Sequence, residues 1–187
     1  MKNMVYLFLA NGFEEIEALT PVDLLRRAGV EVTTVGIGGK TVTGAHHICV
    51  QADTDDDGAR QMLRRGWKPE MIVLPGGMPG ASNLDASPVV EEFLEAAREA
   101  DAYIAAICAA PMILGRRGLL AGKRAVCYPG FEGTLAGAEV EDLPCVRDGK
   151  IITGQAMGAA CAFALMLVEA LKGESTAETL RAGIIAR

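Results

Sequence analysis

Cys108 is the residue of this chain best placed to do chemistry. It closes the run Tyr103-Ile104-Ala105-Ala106-Ile107, which reads as a short buried strand. Ala109-Ala110-Pro111 follows at once, and Met112-Ile113-Leu114 continues with helical character. A strand that turns sharply into a helix sets the residue at the turn on the carboxyl edge of the sheet, where open α/β folds bind ligands. That residue also meets a helix amino terminus, which favours negative charge. A cysteine there is expected to ionise more readily than a free thiol, whose pKa is about 8.5. The spacing alone is equally compatible with a small buried hydrophobe, because free cysteine is among the most buried residue types.

Two other stretches reach the same edge if the sheet is parallel. Gly12-Phe13-Glu14-Glu15-Ile16-Glu17 follows a first strand, and Leu74-Pro75-Gly76-Gly77 ends a third. Gly76 and Gly77 allow close backbone approach and offer bare N–H groups. With the N–H of Ala109 they would form an oxyanion hole, although a plain turn reads the same way. Glu17 lies one helical turn beyond Glu14 and faces either the sheet edge or water. Acids so closely spaced are usually a solvated helix start. If Glu17 faces Cys108, its ionised form would raise the thiol pKa, so the pair works only with a proton held on Glu17. Burial would permit that.

The elements that must position these residues can be read in turn. Residues 5–10 form a central strand, and a helix runs from Glu14 to Arg26-Arg27-Ala28-Gly29, with acids at its start and arginines at its end. Pro21 is expected to kink that helix or split off its first turn. A strand over 30–35 completes a βαβ unit, so the two strands should be parallel. Residues 40–50 suggest a hairpin around Gly44, and 59–65 a short helix. Strands are expected over 71–74, 125–128 and 151–153. Residues 88–100 form an amphipathic helix with Val89, Val90, Phe93, Leu94 and Ala97 on one face. Residues 159–171 form a very apolar one. Strands alternating with helices predict an α/β fold with a doubly wound, mostly parallel sheet sandwiched by helices, in one domain over residues 1–187.

Composition narrows the function. Half of the 187 residues are hydrophobic, only 5% are aromatic, and 22 are glycine, which suits an α/β core. The net charge is -6 and the basic residues are scattered, so no nucleic-acid footprint is present. No apolar run is long enough to span a membrane. Met1-Lys2-Asn3-Met4 leads directly into a strand, without the pattern of a secretory signal. The five cysteines are odd in number and include no C-x-x-C, which predicts free thiols in a reducing cytoplasm. Asp53 to Gly58 begins like a calcium loop, but the twelfth position is Arg64 where a bidentate glutamate is needed. Gly118 to Lys123 is one residue short of a phosphate loop. His46, His47 and Cys49 crowd too closely for a tetrahedral metal site, so no metal is expected.

The glutamate motif, Pro21-Val22-Asp23, Arg26-Arg27-Ala28-Gly29, the Gly-Gly loop, Ala105-Ala106-Ile107-Cys108-Ala109-Ala110-Pro111 and the late Val168-Glu169-Ala170-Leu171 helix together resemble the ThiJ/PfpI superfamily. The resemblance covers nearly the whole chain and is to the branch of DJ-one deglycase-like proteins. It implies a flavodoxin-like sandwich, usually homodimeric, with Cys108 as the reactive residue and Glu17 as its protonated partner. It implies that the N–H groups of Gly77 and Ala109 surround the substrate oxygen and that Arg27 lines the pocket. It also implies a cofactor-independent glyoxalase or deglycase acting on methylglyoxal or its early adducts. The other activities it implies are an oxidative-stress sensor, whose cysteine oxidises to sulfinic acid, and a chaperone. Three positions depart from the pattern. Tyr128 stands where relatives carry a histidine, and a neutral tyrosine is a poor base near pH 7. His46 stands where relatives supply a pocket arginine, and Gly154-Gln155-Ala156-Met157-Gly158-Ala159 replaces a Ser-Arg-Gly-Pro-Gly-Thr run. Ala109 stands where the peptidase branch has a histidine, which argues against a peptidase.

Overall fold

The computed structural model describes residues 3–186, so Met1 and Lys2 of the expected leaderless start lie outside the described residues. In chain order the elements are β1 (Asn3–Leu9), α1 (Glu15–Arg27), β2 (Val32–Gly36), β3 (Thr41–Thr43), β4 (Cys49–Gln51), β5 (Thr54–Asp55), α2 (Asp56–Arg64) and β6 (Lys68–Leu74). Then follow α3 (Gly80–Asp85), α4 (Pro88–Glu99), β7 (Tyr103–Ile107), α5 (Pro111–Arg116), β8 (Arg124–Ala125), β9 (Glu139–Val140), β10 (Cys145–Asp148), β11 (Ile151–Gly154), α6 (Ala160–Lys172) and α7 (Glu174–Gly183). One seven-stranded sheet has the order β10-β11-β7-β6-β1-β2-β5, and only β10 runs antiparallel. The chain leaves β1 toward β2, then returns past it to β6, so the topological switch lies between β1 and β6. That crevice is where a doubly wound sheet holds ligands.

Alternation along the central strands builds two cores. Tyr6, Phe8, Ile72, Leu74 and Ile104 face α4, where Phe93 meets Tyr6 and Phe8 edge-on at 4.7 and 5.2 Å. Leu7, Leu9, Val73, Ala105 and Ile107 share the other core with Leu25 of α1 and Phe163 of α6. Both faces of the sheet are therefore covered, as the continuous apolar runs require.

Two expectations need correction. The α1 helix runs through Pro21 without a break, because its buried face packs on the sheet and α6 and holds it despite one missing N–H. The strand expected over 125–128 shrinks to β8, which pairs only with β9 in a small separate sheet. Its later donors are engaged elsewhere: Val126 N–H donates to Thr153 Oγ1 and Tyr128 N–H to the Cys108 carbonyl. The acidic run that fails as a calcium loop at Arg64 is a helix start, as expected: Asp55 caps α2 by accepting from Gly58 N–H at 3.0 Å.

Candidate active site

The carboxyl ends of β1, β6 and β7 bring three separate stretches to one point. Cys108 leaves β7 with φ of 65°, in the left-handed region that a non-glycine residue occupies only when its surroundings impose it. Its N–H donates to the Gly154 carbonyl at the end of β11, and its own carbonyl accepts from Tyr128 N–H at 2.8 Å. Those two bonds fix the elbow from both sides. The backbone N–H groups of Gly77 and Ala109 donate to the sulfur.

Glu17 projects from the first turns of α1 toward this cysteine, is only 1% exposed, and hydrogen-bonds the thiol. Its Oε2 accepts from Gly76 N–H at 3.0 Å. Burial pushes its carboxyl up to about 7, and the nearby Glu14 charge adds to the rise. The Cys108 thiol is pushed up to about 12, first by burial and then by Glu17, while the N–H groups of Gly77 and Ala109 work the other way. The expected easier ionisation is thus reversed while Glu17 is ionised. The six-residue α5 behind the elbow is too short to offset burial and a neighbouring carboxylate. A thiolate forms here at modest cost only with the proton on Glu17, which then donates to sulfur.

The Gly-Gly loop fits tightly against both partners. A Cβ on Gly76 would lie 2.5 Å from Glu17 Oε2 and 2.6 Å from Cys108 Cβ. Gly77 has φ of 85°, and a Cβ there would run into Glu14 N and the Gly12 carbonyl. The structure therefore brings together Cys108, Glu17, Gly76, Gly77 and Ala109. Tyr128 joins through its backbone only: its ring is half exposed and packs on Phe131. Arg27 is not brought to this point within the chain. It sits in the last turn of α1, about 15 Å of helix rise from Glu17, and pairs with Asp23 at 2.7 Å.

Glu15 is a residue the sequence reading missed. It is buried, and its oxygens accept from the N–H of His46 at 2.8 Å and engage the His46 Nδ1 at 2.9 Å. The Ala45 N–H donates to the Phe13 carbonyl, so the β3–β4 hairpin is clasped beside the site. The signal was present: Glu15, Ala18, Val22 and Leu25 share one helix face, and the latter three are apolar. Burial raises the Glu15 carboxyl, but the bonds from His46 and Ile48 outweigh it and leave it below the ordinary value. His46 is raised, chiefly by its bond to Glu15 and then by the Glu14 charge. Glu14, Glu15 and His46 are the metal-capable group among the described residues, with ligand atoms within 4.8 Å of one another, but hydrogen bonds to the hairpin already engage Glu15.

A raised histidine stabilises below its unfolded pKa, and that stability fades as pH rises through the folded value. Hydrogen exchange at the His46 and Ile48 amides should therefore quicken above neutral pH beyond the intrinsic rate. In His46→Ala that extra pH dependence should vanish.

A strained cysteine elbow, a buried carboxyl and converging backbone N–H groups at the switch point of a doubly wound sheet define a cysteine-centred α/β protein. The chain matches the DJ-1/PfpI family over residues 3–170 and belongs to it. It is similar to the protein dj-1beta of Drosophila melanogaster, 34% identical over 99% of this chain and 98% of that one. It is also similar to the glutathione-independent glyoxalase DJR-1.2 of Caenorhabditis elegans, 30% identical over 96% of this chain and 94% of that one. The solved structure of oxidized Toxoplasma gondii DJ-1 superposes with a TM-score of 0.90 at 32% identity, covering 99% of this chain and 98% of the other. No helix among the described residues is long and apolar enough to cross a membrane.

Proposed function

We propose that this protein is a cofactor-independent glyoxalase or deglycase acting on 2-oxoaldehydes such as methylglyoxal, or on their early adducts. The convergence of Glu17 and two backbone N–H groups on the sulfur of one strained cysteine carries the reading. The Cys108 sulfur adds to the aldehyde carbon, forming a C–S bond, and the carbonyl electron pair moves to oxygen, which takes the proton held by Glu17, giving a hemithioacetal and an ionised Glu17. The N–H groups of Gly77 and Ala109 are placed for that oxygen. Glu17 takes the proton from this carbon and returns it to the neighbouring carbonyl carbon, leaving a thioester of the 2-hydroxy acid. Water then cleaves the C–S bond, so methylglyoxal plus water leaves as lactate. Two adjacent carbons exchange oxidation state internally, so no external oxidant is needed. The similarity to the glutathione-independent glyoxalase DJR-1.2 of Caenorhabditis elegans supports this chemistry.

The decisive assay follows methylglyoxal with pure protein and no cofactor, beside Cys108→Ala. Lactate should accumulate only with the parent. Equal consumption by both proteins would overturn the reading. The same N–H groups would hold a sulfinate, which supports a second reading as an oxidative-stress sensor. Mild peroxide should then add oxygen at Cys108 before any of the other four thiols, as read by peptide mass spectrometry.

A homodimer is part of the proposal. Ile16 and Leu19 on α1 and Ile48 on the hairpin are exposed beside the site, at 48%, 38% and 53%. An isologous pairing of two antiparallel α1 helices would bring Arg27 of one chain toward the site of the other. Leu19→Glu should yield a monomer in sedimentation analysis. The five free thiols suit a reducing cytoplasm.

A further inference from the structure

We propose that a second cleft, apart from Cys108, binds a zwitterionic α-amino acid with an apolar side chain. The cleft encloses about 790 Å³, within the range of about 300–1,000 Å³ usual for small-molecule sites. It opens beyond the carboxyl ends of β1 and β2, and neither Cys108 nor Glu17 lines it.

One wall is the start of α4. Ser87, at its N-cap, is 6% exposed and makes no capping bond. Its hydroxyl has no partner anywhere in the described chain. Among the described residues no side-chain polar atom is sealed from solvent without a partner, so this hydroxyl opens onto the cleft it lines. Pro88 has no N–H, Glu91 N–H donates to the Ser87 carbonyl at 3.3 Å, and the N–H groups of Val89 and Val90 lack intrahelical acceptors. A donor hydroxyl, unpaired N–H groups and the positive end of a 12-residue helix together suit a carboxylate.

The opposite wall makes the opposite demand. Asp57, at the start of α2, is exposed, and its carboxylate makes no hydrogen bond among the described residues. Asp56 gives one oxygen to Gly38 N–H at 2.7 Å and keeps the other. Arg60 lines the same wall and feels the charges of both aspartates, but Glu92 binds it through Nε and Nη2 at 2.9–3.1 Å and offsets its charge, which leaves the wall net negative. This wall suits an ammonium. Ile37, Ala86 and Pro88 supply apolar surface to the same cleft. A main-chain carboxylate and ammonium joined to an apolar side chain match all three surfaces. A simple anion would be repelled by the aspartates, and a simple amine would leave the Ser87 wall empty.

The test is an amide NMR titration of the full chain with L-leucine, N-acetyl-L-leucine and isoamylamine. L-leucine should shift Gly38, Gly39, Ser87 and Val89 while leaving Gly77 and Ala109 in place. Each analogue, lacking one pole, should bind about tenfold more weakly, and Ser87→Ala and Asp57→Asn should each cost about five- to tenfold. Asp57 is on the surface, so its variant keeps the test open if Ser87→Ala unfolds. Absence of shifts at tens of millimolar leucine, equal binding of either analogue, or shifts confined to the Cys108 region would overturn the proposal.

Discussion

Glu17→Gln should be more stable than the parent at pH 8, by about 3 kcal/mol, and lose about 10²–10⁴ of its turnover. Burial keeps the Glu17 carboxyl protonated up to about 7 in the folded chain, against 4.5 for the ordinary group. Between those values the folded state binds the extra proton, so stability falls as pH rises from about 4.5 to about 7 and stays lower above it. Glutamine carries no charge to desolvate. Its amide still donates to Cys108 and accepts from Gly76 N–H, so the geometry is retained. Urea unfolding of both proteins at pH 4.5 and pH 8 checks this: the parent should fall by about 3 kcal/mol more than the variant, which keeps the His46 contribution. Identical pH dependence in the two would remove Glu17 as the buried proton holder. The loss of turnover has a separate cause, since an amide cannot shuttle a proton.

Gly76→Ala should lower kcat/KM for methylglyoxal by about 10²-fold or more while the protein still folds. Gly76 is not among the glycines with positive φ, so its backbone accepts a side chain. The whole effect is then steric and falls on the site. The added methyl meets Glu17 Oε2 at 2.5 Å, Cys108 Cβ at 2.6 Å and Cys108 Sγ at 3.0 Å, and must push the two reacting groups apart. Overpacking of this kind costs about 1–3 kcal/mol, so a melting curve should still be cooperative. Parent-like turnover would show that the loop has slack that the geometry does not suggest.

The fold was legible where long apolar periods speak for themselves. Tyr103 to Ile107, Pro88 to Ala100 and the late apolar helix lie within a residue or two of their elements. That the stretches carrying Cys108, Glu17 and Gly76-Gly77 share one edge followed from strand direction, because parallel strands put all their carboxyl ends on one edge, whereas the turn of Glu17 toward Cys108 was implied only by the resemblance. What escaped was held by contacts distant in sequence. Pro21 reads as a breaker until α6 packs against it. Residues 126–128 read as a strand until Thr153 and Cys108 take their hydrogen bonds. Glu15 looked solvated because the acids around it mask its place on the apolar face. Arg27 was carried to the pocket by resemblance, and its placement shows that one chain alone does not deliver it there.

The site draws on residues 12–17, 74–77 and 107–109, and its elbow is pinned by Gly154. During synthesis, therefore, no amino-terminal fragment emerging from the ribosome carries an assembled centre. A nascent chain that has just exposed Cys108 still lacks β11, so its elbow is unpinned and its thiol is an ordinary one. The arrangement of Glu17 and backbone N–H groups around the sulfur is complete only after most of the chain has been made and the sheet has closed. If Cys108 acts as proposed, proteolytic fragments that lose the β11 segment should lose that reactivity.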